Sequence, residues 1–72
     1  MIKSVKIELT NYLGSKKEVA LEPDQIKQLN NQFTVKENLK RLIAACKSYS
    51  NEYWVTGYMN NHKICWYQWN QV

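Results

Sequence analysis

Polar and apolar residues alternate from Ser4 to Thr10. Val5, Ile7 and Leu9 fall on one side of this pattern, with charged residues between them. A period of two is typical of a β-strand with one buried face. Turn-forming residues follow at 13–16, and a second alternation at 18–21 completes the pattern of a β-hairpin.

The period then lengthens to that of an amphipathic helix. Pro23 and Asp24 suit a first helical turn, because proline loses no hydrogen bond there and the carboxylate lies near the positive end of the helix dipole. Ile26, Leu29 and Phe33 recur at helical spacing and predict one apolar stripe. A short helix is therefore expected in this part of the chain.

A second helix is predicted to start at Val35. Thr34 and Glu37 have the spacing of a capping box, in which each side chain accepts from the other residue's free backbone N–H. An apolar stripe then continues to about residue 48 and comprises Leu39, Leu42, Ile43 and Cys46. The alternative is one bent helix that spans residues 24–48.

Two further strands are expected on either side of Asn60 and Asn61, since asparagine tolerates the positive φ angles of a tight hairpin turn. The predicted order is strand, strand, helix, helix, strand, strand, in a single domain over residues 1–72. The fold class is therefore α+β. We expect an antiparallel sheet with the helices packed on one face.

Six of the nine aromatic residues lie between Tyr53 and Trp69. Alternation divides this segment into two faces, and a two-residue turn or a four-residue loop gives the same division. The set predicted to face the helices comprises Tyr53, Val55, Gly57, Met59, Ile64 and Trp66. The set predicted to face away comprises Trp54, Thr56, Tyr58, Lys63, Cys65, Tyr67 and Trp69.

Catalytic and metal sites are not expected. The single histidine and the two cysteines have no recognisable ligand spacing, and the chain has neither a glycine-rich phosphate loop nor a suggestive pair of carboxylates. Cys46 is predicted to face the core and Cys65 to face away from it, so a disulfide between them is not expected. We therefore expect a non-enzymatic protein that needs no metal or cofactor.

No apolar run is long enough to span a bilayer, and the first residues lack the apolar segment of a secretory signal. We therefore expect a cytoplasmic protein with free thiols and no membrane insertion.

The chain has ten basic and six acidic residues, for a net charge of +4, which modestly favours acidic partners. At about 100° per residue, Lys36, Lys40 and Lys47 line one stripe of the second helix. One interpretation is a solvated helix face whose lysine stems cover the edge of the core. The other is a set of contacts to phosphates.

The face predicted to point away from the helices carries more aromatic surface than a monomer usually leaves open. Lysines border it, which suits the stacking of unpaired bases. The predicted stacking residues are Trp54, Tyr58, Tyr67 and Trp69, and the predicted phosphate contacts are Lys6, Lys36, Lys40, Lys47 and Lys63. The first hypothesis is therefore single-stranded or non-specific nucleic-acid binding.

The alternative hypothesis is a small protein-binding regulator or inhibitor of the kind that mobile elements encode. In that case the same aromatic face binds a protein partner, or a second copy of the chain in a homodimer. A third interpretation needs no partner, because aromatic side chains can pack against one another across the strands. Salt separates the first two hypotheses, since phosphate binding weakens steeply as salt rises.

Overall fold

The computed structural model describes residues 1–68 of the chain. The elements in this range are β1 (Val5–Thr10), β2 (Lys16–Ala20), α1 (Pro23–Gln32), α2 (Val35–Tyr49), β3 (Trp54–Met59) and β4 (His62–Tyr67). The predicted α+β class and element order are confirmed. The strands form one antiparallel sheet in the order β2-β1-β3-β4.

The two hairpins are joined at the centre of the sheet by β1 and β3. Six residue pairs connect these strands, from Val5 with Met59 to Thr10 with Trp54. Both central strands have a pairing partner on each side, whereas β2 and β4 lie at the edges. Residues distant in sequence thus become neighbours on each face of the sheet.

The helices are separate because the chain is extended at Phe33 and Thr34, where ψ is 150° and 165°. The predicted capping box starts α2: the Glu37 N–H donates to Thr34 Oγ1 at 3.1 Å, and the Thr34 N–H donates to Glu37 Oε1 at 3.0 Å. The hydrogen bond from the Thr34 backbone N–H, with a smaller contribution from the Thr34 side chain, lowers the pKa of the Glu37 carboxyl. The alternative of one bent helix is wrong.

The core lies between the sheet and the helices, on one side of the sheet only. Its buried apolar residues are Ile2, Ile7, Leu9, Ile26, Leu42, Cys46, Val55 and Met59. They include residues from both helices and from both central strands, so the predicted packing of the helices on one face is confirmed. Within this layer, α2 contacts β3 and β4.

The turn between β3 and β4 also anchors the start of the chain. Asn60 and Asn61 have φ angles of 53° and 65°, as expected for a two-residue hairpin turn. Asn60 Oδ1 accepts hydrogen bonds from the backbone N–H groups of Lys3, at 2.6 Å, and Ser4, at 3.2 Å. The asparagine therefore forms the turn and also acts as a clamp, by which we mean that its side-chain oxygen holds the backbone of Lys3 and Ser4.

Replacing Asn60 with glycine isolates the clamp, because glycine keeps the positive φ and removes the side-chain oxygen. We expect Asn60→Gly to lower the free energy of unfolding by about 1–2 kcal/mol, for the loss of two hydrogen bonds. Asn60→Asp is the matched control, because it retains an acceptor and tolerates the same φ. Urea unfolding followed by tryptophan fluorescence measures both; equal stability of the glycine variant and the parent chain would contradict the clamp.

Candidate nucleic-acid interface

A register shift in the C-terminal hairpin determines which side chains form the open face of the sheet. Tyr58 pairs with Lys63, but Gly57 pairs with Cys65, so Ile64 is an extra residue opposite the junction of Gly57 and Tyr58. Such a bulge exchanges the two faces of a strand from that point onward. The predicted division into two faces is therefore wrong for the second half of β4, because of the bulge and not because of the turn.

Three residues change sides as a result. Trp66 was predicted to face the helices, but it pairs with Thr56 and is 54% exposed. Cys65 and Tyr67 were predicted to face away, but they pair with the buried Gly57 and Val55 and pack against the core. Both predictions are wrong for the same physical reason, which is the single inserted residue at Ile64.

We call the side of the sheet opposite the helices the outer sheet face. Its central residues, from β1, β3 and β4, are Lys6, Glu8, Thr10, Trp54, Thr56, Tyr58, Lys63 and Trp66. No helix among residues 1–68 lies over this face. The predicted positions of Lys6, Trp54, Tyr58 and Lys63 agree with this arrangement.

Two lysines flank Tyr58 across the sheet. Lys6 on β1 and Lys63 on β4 each pair with Tyr58 on β3, so the three residues form one row. Lys6 Nζ lies 4.9 Å from the centre of the Tyr58 ring and 3.8 Å from Glu8 Oε1. The ammonium thus occupies one face of the tyrosine ring, which leaves this ring less suited to stacking than predicted.

The two tryptophans of the outer sheet face have exposed indole rings. Trp54 is 54% exposed, as is Trp66. Trp66 pairs with Thr56, which lies two residues from Trp54 on the same strand and the same face. The two indoles are therefore diagonal neighbours on adjacent strands, a placement in which Cα atoms lie about 7–8 Å apart.

The lysines of α2 lie in a different layer from the tryptophans. Lys36, Lys40 and Lys47 are exposed on α2, and this helix packs against the opposite side of the sheet. The structure therefore does not bring the predicted lysine stripe together with the aromatic residues. Trp69, the remaining predicted stacking residue, lies outside the described residues.

The inward turn of Cys65 also places two thiols around one glycine. A Cβ atom at Gly57 would lie 2.6 Å from Cys46 Sγ and 2.9 Å from Cys65 Sγ. Both cysteines are free thiols. Burial, together with the hydrogen bond to Cys65, raises the pKa of Cys46, which makes this thiol a poor nucleophile.

Sequence reasoning missed Trp66 as a surface residue and the closeness of Cys46 to Cys65. Both depend on the bulge, and the residues around Ile64 carry no local signal such as a glycine that would place it there. The bulge becomes visible only when β4 is paired with β3, because it is defined by the match of Gly57 with Cys65 across the two strands.

The described residues, 1–68, contain no group of three or more His, Cys, Asp or Glu side chains placed to hold a metal ion. Within the same range, neither helix is long and apolar enough to cross a membrane. Comparisons of the chain with protein-family models, curated proteins and solved structures gave no match.

Proposed function

We propose that the outer sheet face binds single-stranded nucleic acid without catalysis. Trp54 and Trp66 are the stacking residues in this proposal, and Lys6 and Lys63 contact phosphates. The observation that carries the proposal is a pair of exposed indoles on one open sheet face, beside the row in which Lys6 and Lys63 flank Tyr58. The cation–π contact with the Tyr58 ring holds the Lys6 ammonium on the outer sheet face.

The expected affinity follows from the number of stacking surfaces. Stacking of a base on an aromatic side chain contributes on the order of 1–3 kcal/mol. Two indoles therefore supply about 2–6 kcal/mol, and two lysines add an electrostatic contribution that depends on salt. This total fits weak, sequence-tolerant binding of a few nucleotides, with a Kd of about 10–100 µM.

Single strands are preferred over duplexes for a geometric reason. The indoles lie on a broad sheet surface, and neither is carried on a helix or a two-stranded ribbon that could enter a groove. In a duplex the faces of the bases are already stacked on one another, so the indoles cannot reach them. Unpaired bases expose these faces and can lie flat against the tryptophans.

The test is the salt dependence of binding to a labelled oligothymidylate. Fluorescence anisotropy is measured at several salt concentrations for the parent chain, Lys6→Gln/Lys63→Gln and the matched control Lys36→Gln/Lys40→Gln. Both double variants lose two positive charges, but only the first loses them from the outer sheet face. On single strands each lost phosphate contact should change the slope of log K against log salt by about 0.7.

We expect the outer double variant to flatten the slope by about 1.4 and the helix double variant to leave it nearly unchanged. Equal slopes in the two variants would place binding elsewhere on the molecule. No binding at low salt, together with a dimeric mass and quenched tryptophans in light scattering and fluorescence, would favour the alternative of self-association through the same face.

A further inference from the structure

A cavity of about 250 Å³ lies on the helical side of the sheet, away from Trp54 and Trp66. Its walls are mostly aliphatic, and the aliphatic residues come from three parts of the fold. Val5, Val19 and Leu21 belong to the N-terminal hairpin and the segment that follows it, Leu29 belongs to α1, and Leu42 belongs to α2. The cavity is thus a partly open pocket at the edge of the core layer.

The position of α2 explains the pocket. This helix packs against β3 and β4, so the inner side of the N-terminal hairpin is covered less completely. Val5, Val19 and Leu21 are accordingly only half-buried, although Met59 and Ile7, the strand partners of Val5 and Val19, are buried. The space is a partly open apolar pocket, and filling it with an apolar group would remove its aliphatic lining from water.

The cavity wall contains a buried amide whose oxygen atom has no hydrogen-bond partner among the described residues. Asn38 lines the cavity and is only 3% exposed. Its Nδ2 donates to the Leu29 carbonyl oxygen at 3.4 Å, but its Oδ1 has no hydrogen-bond partner among the described residues. Because a buried acceptor without a partner is unfavourable, an N–H or O–H group in the cavity would be stabilised here.

A cationic group lies in the same wall. Arg41 lines the cavity and is exposed to solvent. Its guanidinium stacks on the Phe33 ring at 4.3 Å, and no carboxylate among residues 1–68 forms an ion pair with it. The stacking fixes the guanidinium while its N–H donors stay available for an anion.

We propose that this cavity binds a small amphiphilic acid. The apolar part of the ligand fills the aliphatic cavity, a hydroxyl or N–H group donates to Asn38, and the carboxylate binds Arg41. An apolar cavity of about 150 Å³ holds benzene, so the apolar part should have about ten carbon atoms. The site is on the opposite side of the sheet from the proposed nucleic-acid site and does not depend on it.

The test compares three probes that differ by one group: 3-hydroxydecanoate, decanoate and decanol. Methyl NMR spectra of the full chain are recorded at probe concentrations below micelle formation. We expect saturable shifts of Val19, Leu21 and Leu29 methyl groups. Affinity should fall at least threefold from the hydroxy acid to decanoate, and at least tenfold from decanoate to the alcohol.

Arg41→Gln should remove the preference for decanoate over decanol, whereas Lys40→Gln, which removes a neighbouring charge on α2, should retain it. Ala45→Leu narrows the cavity from α2 and should weaken binding of all three probes at least tenfold. Absence of saturable shifts, shifts that are confined to the outer sheet face, or equal preference in the parent chain and Arg41→Gln each overturn the proposal.

Discussion

Gly57→Ala is expected to lower the free energy of unfolding by about 1–3 kcal/mol, the usual cost of overpacking a core. The new Cβ would lie 2.6 Å from Cys46 Sγ, a contact that folded proteins do not accommodate without movement. Cys46 is fully buried, and Gly57 is paired with Ile7 on β1 and with Cys65 on β4. Neither the backbone at position 57 nor the Cys46 side chain can therefore move easily to relieve the contact.

A double-mutant cycle with Cys46→Ala shows whether the sulfur causes this loss. The alanine at position 46 removes the nearer thiol, so Gly57→Ala should cost about 1–2 kcal/mol less in that background. Gly14→Ala is the matched control, since Gly14 has φ of 85° and open space around it. Its cost should be the same with or without Cys46. Additive losses for Gly57→Ala and Cys46→Ala would contradict the packing described for the bulge.

Replacing both tryptophans of the outer sheet face should almost abolish oligonucleotide binding. If each indole stacks one base, Trp54→Ala/Trp66→Ala loses about 2–6 kcal/mol, which is a fall in affinity of about 30-fold or more. Both side chains are 54% exposed and lie outside the core, so the unfolding midpoint should change little. Anisotropy of labelled oligothymidylate at low salt measures the loss.

The control removes exposed apolar side chains elsewhere on the protein. Leu13→Ala/Val35→Ala alters a turn and the start of α2, where both side chains are exposed, and should leave the affinity within about twofold of the parent value. Each single tryptophan variant should account for part of the loss. If the double tryptophan variant binds as tightly as the parent chain, the indoles are not the stacking surface.

Local signals in the sequence were enough to predict most of the elements. The alternation of Val5, Ile7 and Leu9 identified β1, and Thr34 with Glu37 identified the start of α2. These features act within a few residues of one another, so their effects do not depend on the rest of the fold. The predicted turn at Asn60 was correct for the same reason.

The facing of Trp66 could not be predicted in this way. It depends on which residue of β4 lies opposite Gly57, a pairing between strands that places Cys65 near Cys46 on the inner side of the sheet. One inserted residue costs little locally but exchanges every later side chain between the two faces. The strand order is nonlocal in the same way, since β1 pairs with β3, and both helices lie between these two strands in the sequence.

The central pairing of β1 with β3 also determines how the chain can fold during its synthesis. β1 emerges early, but its second neighbour in the sheet is made only after both helices. Until then one edge of β1 has unpaired N–H and C=O groups, and its apolar side chains lack Val55 and Met59. An open strand edge of this kind can pair with another chain, and the arrival of β3 removes that possibility by closing the edge.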